Sequence, residues 1–490
     1  MITDEGLVIH QSGLLFRKKH IIDFEDIREV IVPEKDNRDQ VTIILNNGQK
    51  LTLKHLSKED SSKFPARLKG IVERSTIQKL LNNSTGFEEF NRGVSALPGE
   101  PGIDARHLVD VIIEKAIKVY ASDVHLEPHI DHYRVRYRVD GIFYDAGKFD
   151  KDWAEKIISR IKVASDLIVY RRDIPQEGRI PFKSNDNAVD VRVSIVPTVV
   201  GEKAVLRVFD SERAKFTLSL LNFRPEIENA LHDLILRPGG VILLTGPASS
   251  GKTTTMYACL KEITQARKET TNIVSIEDPV EYQLGIIQQM QIDPKKGLTF
   301  AKCLSAILRQ DPEVLMVGEI RDTETAKICL QAGLTGHLVL STIHCGRAHI
   351  VPVRLLDMGI EPFQIVSALK GCIALRLVRK NCPNCREPFQ PSDAVMKKLE
   401  PYLENFEGSF IHGKGCVKCM GLGTLGRIPI AELLIMDDSV RKTISSKVTV
   451  KKLETIVKKK ENYSLIDDAI RLIKSGDLNP EELIRVLEMD

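Results

Sequence analysis

Apolar positions change rhythm along this chain. Up to about residue 76 they come in short β-rich runs: Leu7–Ile9, Leu14–Phe16, Ile27–Val32, Val41–Leu45 and a further run from Leu51. Asn47-Gly48 lies between two of the alternating runs and predicts a hairpin, because both turn positions take φ > 0. With a helix from about Phe64 to Glu73, residues 1–78 read as a small β-rich adaptor in which no residue carries chemistry. Residues 79–101 turn to Asn, Ser, Gly and Pro and read as a linker. The next domain, 102–212, opens with a helix over about 104–120, followed by strands at 121–128, 133–140 and 141–144. A helix over about 151–165 and strands at 179–182, 188–196 and 203–209 complete an α/β unit. Within it, Tyr133-Arg-Val-Arg-Tyr-Arg-Val alternates basic with apolar residues, the pattern of a sheet with one solvated face. After a second linker, 213–223, strands at 241–245, 272–276, 314–317 and 338–342 alternate with helical segments through residue 376. That alternation predicts a parallel sheet covered on both faces.

The first of these strands runs into Gly246-Pro-Ala-Ser-Ser-Gly-Lys-Thr-Thr254, with Gly246 and Gly251 at the spacing G-x-x-x-x-G-K-[ST]. Such a loop turns backbone N–H groups onto one phosphate, which the chain manages only where Cβ atoms are missing or small. The helix after it adds the partial positive charge of its N-terminus. A glycine-rich loop arising by chance would not come with a buried strand before it and a helix after it. Gly246, Pro247, Ala248, Ser249, Ser250, Gly251, Lys252, Thr253 and Thr254 therefore predict a nucleoside triphosphate site in a RecA-like core. Lys252 would reach the β- and γ-phosphates, and the Thr253 hydroxyl would sit on Mg²⁺.

Polar residues end the other strands, where the site residues of parallel sheets gather. Glu277, Asp278 and Glu281 follow one strand and Glu319 another; carboxylates ending a buried strand are costly unless used. Glu319 has the Walker B placement, acting through water on Mg²⁺ or orienting the attacking water, and Glu277 is the second candidate. The residues leave open which is the base. His337 and His344 bracket the last strand. Either alone suits a core histidine, but beside a nucleotide His337 reads as the γ-phosphate sensor and His344 as the weaker candidate.

Composition narrows the classes. A length of 490 residues suits three or four domains. A formal net charge of +3 and 5% aromatic residues argue against a nucleic-acid channel, so no nucleic acid is expected as partner. No apolar run has membrane-spanning length and the N-terminus is no signal peptide, so any membrane role is expected to be peripheral. The nine cysteines split into five scattered ones and two C-x-x-C pairs, Cys382/Cys385 and Cys416/Cys419. Each pair can bind one edge of a tetrahedral ion, and four thiolates predict a structural Zn²⁺ in a lobe over 377–425. Redox pairs or unrelated buried thiols are the alternatives. Residues 426–490 read as helical, with Lys451, Lys452 and Lys458–Lys460 on a solvated face, a membrane-surface patch being the alternative.

These motifs, in this order, resemble the secretion ATPase superfamily, the hexameric motors of type II secretion and type IV pilus assembly. The resemblance is carried by Ala121-Ser-Asp-Val-His-Leu-Glu-Pro128, Arg171-Arg-Asp-Ile-Pro-Gln-Glu-Gly-Arg179, the phosphate loop and Ser275-Ile-Glu-Asp-Pro-Val-Glu-Tyr282. Leu308–Asp322 and Thr335-Gly-His-Leu-Val-Leu-Ser-Thr-Ile-His344 complete it over roughly residues 100–490. It implies a PAS-like α/β domain at 102–212 that lends Arg192 and Arg207 to the ATP site of a neighbouring subunit. Arg136, Arg138, Arg309 and Arg321 are weaker candidates, with structural ion pairs as their expected role. It implies ATP, Mg²⁺ and Zn²⁺ as cofactors, a homo-hexamer, and a cytoplasmic location peripheral to the inner membrane. An inner-membrane platform protein and the secretion or pilus machinery would be its partners. The first 78 residues look like a pleckstrin-like roll, unlike the family's usual N-terminal domain. The family's loop has glycine where Ser249 stands, which predicts a slightly strained nest, and Cys345-Gly346 replaces its usual Thr-Asn. A RecA-like nucleic-acid motor and a non-catalytic nucleotide-binding scaffold are the rival readings.

Overall fold

The computed structural model describes residues 2–3, 6–12, 17–22, 27–31, 40–45, 49–54 and 86–487. From the last stretch 101–102, 185–186, 211–216, 268–269, 404–405, 407, 446–448 and 460–463 are excepted. The expected strand at 14–16, the turn Asn47-Gly48 and the helix at 64–73 lie outside the described residues. The chain divides into two units, residues 1–211 with 416–422, and residues 212–415 with 423–490.

In the first unit, β1 (Ile2–Thr3), β2 (Gly6–Ser12) and β3 (Arg17–Ile22) form one antiparallel sheet. A second comprises β4 (Ile27–Ile31), β5 (Gln40–Leu45) and β6 (Lys50–Lys54). Thr42 of β5 stands opposite Thr52 of β6. The α/β part follows with α1 (Phe87–Ala96), α2 (Ala105–Lys118), β7 (Ala121–Pro128), β8 (His132–Val139) and β9 (Ile142–Asp150). Then come α3 (Lys151–Ala164), β10 (Gln176–Ser184), β11 (Asn187–Thr198) and β12 (Gly201–Asp210). The six strands form an antiparallel sheet in the order β10-β11-β12-β7-β8-β9. Successive side chains of a strand point to opposite faces. Tyr133, Val135, Tyr137 and Val139 are accordingly buried against the helices, while Arg134, Arg136 and Arg138 stay partly exposed on the other face.

Helix α1 corrects the expected linker over 79–101. Phe87, Phe90 and Val94 are buried, and Phe87 stacks on Tyr144 with ring centroids 5.0 Å apart. Burial of such side chains contributes roughly 1.5–3 kcal/mol each, enough to hold a ten-residue helix that is marginal alone.

The second unit contains α4 (Pro225–Ile235), β13 (Gly240–Thr245), α5 (Lys252–Ala266), β14 (Ile273–Glu277), β15 (Gln288–Gln291), α6 (Phe300–Ile307) and β16 (Val314–Val317). It continues through α7 (Thr323–Leu334), β17 (Leu338–Ile343), α8 (Val351–Asp357), α9 (Pro362–Ala368) and β18 (Leu369–Asn381). After these come β19 (Arg386–Phe389), α10 (Asp393–Leu399), β20 (Phe410–Gly413), β21 (Thr424–Ile435) and α11 (Asp438–Ser445). The last helices are α12 (Val450–Lys459), α13 (Leu465–Lys474) and α14 (Pro480–Leu487). Seven strands form one sheet, β15-β14-β16-β17-β13-β18-β21, parallel except for the antiparallel β18–β21 pair. Alternate residues of β13 feed the two cores: Val241 and Leu243 one face, Ile242 and Leu244 the other.

Strand β21 corrects the expectation that everything after residue 426 is helical. A short buried apolar run suits helix or strand alike, and here pairing with β18 decides for strand. Pro429 is tolerated because β21 is the edge of the sheet. Within it the buried Glu432 accepts the Ala348 amide at 2.8 Å and lies 2.9 Å from His349 Nδ1.

Candidate active site

Parallel strands deliver their C-terminal ends to one edge of the sheet. β13 and β17 run in register from Gly240 opposite Leu338 to Thr245 opposite Ile343, with β16 and β14 alongside. The phosphate loop, Glu277, Glu319 and His344 all leave these strands at that edge. Lys252, Thr253, Glu277, Glu319 and His344 line a single cleft of about 160 Å³. His337 does not join them. It precedes β17, at the opposite edge, where its Nδ1 lies 3.1 Å from the Ala332 carbonyl and 3.2 Å from the Thr335 hydroxyl. The expected sensor at His337 is therefore corrected: the histidine facing the cleft is His344. The order of strand and histidine could have shown this, since site residues follow a parallel strand rather than precede it.

The loop is seated by backbone contacts. Gly246 has φ +138°, and a Cβ there would lie 2.5 Å from the Leu375 carbonyl oxygen, so only glycine lets the loop start against β18. Ser249 has φ +60°, a left-handed conformation that costs a side chain about 1 kcal/mol or more. The strain expected from its departure from glycine is thus present. The turn at Cys345-Gly346 is held through its main chain. Thr245 Oγ1 donates to the Cys345 carbonyl at 2.7 Å and accepts its amide at 2.8 Å, and Arg376 donates to the Gly346 carbonyl at 2.7 Å. The replacement of Thr-Asn there leaves these bonds intact.

Charge in the cleft is unevenly distributed. Lys252 Nζ donates to the carbonyls of Gly246 (2.9 Å) and Pro247 (2.7 Å). Burial lowers its pKa and Arg376 adds to the effect, against the opposing charge of Glu319. Glu319 pairs with Arg321 through one oxygen and with His344 Nε2 at 3.2 Å through the other. Burial would raise its pKa, but the hydrogen bonds and charges of Arg321 and His344 prevail and hold the carboxyl below its usual range. Glu277, only 3% exposed, accepts hydrogen bonds from Tyr257, Ser275 (2.5 Å) and Gln289 (3.0 Å). Tyr257 and Gln289 were absent from the sequence-based site; nothing in their local motif marks them, because tertiary packing brings them to the carboxylate.

Within the first unit, Arg192 and Arg207 stand directly opposite each other on β11 and β12. Arg192 lies over the Phe209 ring at 4.2 Å. Arg207 is 59% exposed and its Nε donates to Asp123 Oδ1 at 3.0 Å. Arg136 and Arg138 pair with Glu127 and Asp123 and flank the Phe143 ring. These pairs agree with the structural role expected for those two.

The Sγ atoms of Cys382, Cys385, Cys416 and Cys419 lie within 4.8 Å of one another. Zn–S bonds of about 2.3 Å give tetrahedral edges of about 3.8 Å, and Cys416 and Cys419 are 3.7 Å apart, so the residues fit Zn²⁺. No described helix is long and apolar enough to cross a membrane.

A phosphate loop on a parallel sheet, with carboxylates at the adjoining strand ends, defines a P-loop ATPase. Residues 103–485 match the family described as type II/IV secretion system protein. The chain belongs to that family, the motor ATPases of secretion and pilus assembly. It is 39% identical over 450 residues to the putative type II secretion system protein E of Escherichia coli K12, covering 90% of this chain and 89% of that one. With the type II secretion system ATPase E of Vibrio cholerae it shares 39% identity over 399 residues, 81% of this chain and 78% of the other. Among solved structures, the Legionella pneumophila ATPase DotB superposes with a TM-score of 0.59 at 19% identity. That match covers 80% of this chain and 99% of DotB, a likeness of fold.

Proposed function

We propose that the chain works as a homo-hexamer on the cytoplasmic face of the inner membrane, docked on a platform protein. There it converts ATP hydrolysis into assembly of a pilus or pseudopilus. The observation that carries this reading is the convergence of Lys252, Thr253, Glu319 and His344 on one cleft at the end of the phosphate-loop strand. Lys252 and the loop amides bind the phosphates, Thr253 holds Mg²⁺, and Glu319 and Glu277 serve the metal and the attacking water. His344 takes the sensor role. Mg²⁺, when bound, neutralises charge building on the β- and γ-oxygens.

In this reading Arg207 and Arg192 enter the site of a neighbouring subunit. Arg207 suits the task, because its side chain stays exposed while its Nε donates to Asp123. A trans arginine is worth about 10³–10⁵ in rate, so assembly switches activity on. Zn²⁺ held by the four cysteines closes the lobe and is structural, contributing on the order of 10–16 kcal/mol in comparable small sites.

The test is ATP turnover by Glu319→Gln. Loss of about 100-fold or more with nucleotide binding retained is expected. Unchanged turnover would restore the scaffold reading.

A further inference from the structure

Glu277 is a buried carboxylate with no ion pair among the described residues. A charge so placed must be fully hydrogen-bonded to be tolerated. Its partners are three neutral donors from three elements: Tyr257 on α5, Ser275 on β14 and Gln289 on β15. Glu319 across the cleft is different, its charge already matched by Arg321 and His344. Neutral donors orient a carboxylate without cancelling its charge, which stays available to whatever cation or polarised water occupies the cleft.

We infer that Tyr257 is a positioning residue for ATP hydrolysis, holding the Glu277 carboxylate aimed into the cleft together with Gln289. Tyr257 is fully buried and follows Thr253 by four residues, one helical turn along α5, so the two lie on the same face. The helix that begins at the phosphates thereby fixes the carboxylate opposite them. Gln289 is fixed in turn: its amide nitrogen also donates to the Tyr282 carbonyl at 3.0 Å, and its oxygen accepts the Leu284 amide at 2.8 Å. A tyrosine that only fills core is satisfied by a backbone carbonyl, as Tyr137 is by Ile112 at 2.8 Å. Tyr257 instead spends its hydroxyl proton on a cleft carboxylate.

This inference rests on Glu277 belonging to the site, and a double-mutant cycle separates the two claims. Turnover and nucleotide affinity are measured on the hexameric protein for wild type, Tyr257→Phe, Glu277→Gln and the double variant. A hydrogen bond to a charged group is strong enough that Tyr257→Phe should lower kcat about tenfold or more. KM and nucleotide affinity should stay within about twofold, the mark of an interaction used in the chemical step. In the Glu277→Gln background the same change should cost nothing further. An unchanged kcat in Tyr257→Phe with an impaired Glu277→Gln overturns the positioning role alone, as does a full additive loss in the double variant. Full activity of Glu277→Gln overturns both claims. If Tyr257→Phe does not assemble, Gln289→Met removes the neighbouring donor and must show the same kcat loss and the same non-additivity.

Discussion

Gly413→Ala tests how the cysteine lobe is built. A Cβ at residue 413 would lie 1.9 Å from the Gly423 carbonyl oxygen, whereas real Cβ contacts essentially never fall under 3.0 Å. The two backbones must therefore separate by at least about 1.1 Å, the difference between those distances. The obstructed oxygen already has a task, since it accepts the Cys382 amide at 2.9 Å. Substitution breaks the bond that seats Cys382, one of the four thiolates proposed to hold zinc, and displaces the strand leading to Cys416. Losing a buried backbone hydrogen bond costs about 1–3 kcal/mol, and loss of a support behind a metal ligand lowers affinity about 10–100-fold. Competition with a chromophoric chelator measures that affinity on the intact protein. Zinc held with wild-type affinity by Gly413→Ala would refute the seating described here.

Two further outcomes follow from single side chains. Ser249→Gly should stabilise the protein by roughly 0.5–1 kcal/mol in urea unfolding, because the left-handed strain removed outweighs the entropy glycine adds to the unfolded chain; destabilisation would contradict the strained nest. Burial of Glu482 opposes its charge, but Arg485 and Arg379 prevail and hold the carboxyl below its ordinary 4.5. Its contribution is complete above that unfolded value and drains as pH falls through the lower folded one. Tm should thus drop more steeply for wild type than for Glu482→Gln between about pH 5 and pH 3.

What the chain discloses before folding depends on whether the signal is local. The phosphate loop, the strands at 241–245 and 314–317 and the paired cysteines are local patterns, and each reappears in the fold. Helix α1 carried a legible spacing of Phe87, Phe90 and Val94, but the Gly, Pro and Asn around it dominated the composition. Strand β21 could not be separated from a buried helix by its apolar run alone, because its state is set by a partner strand some fifty residues upstream. His337 and His344 differ in a way only strand direction reveals: the C-terminal end of a parallel strand, not its start, meets the site, and His344 follows the strand that His337 precedes. Tyr257 and Gln289 reach Glu277 only through tertiary contacts.

The most direct test of the shared-site motor is ATP turnover against protein concentration, with assembly size followed in parallel, for wild type and Arg207→Ala. Specific activity should rise as hexamers form, and Arg207→Ala should lose about 10³-fold while still assembling and binding nucleotide. Turnover that is independent of concentration, or indifferent to Arg207, would contradict a site completed by the neighbouring subunit.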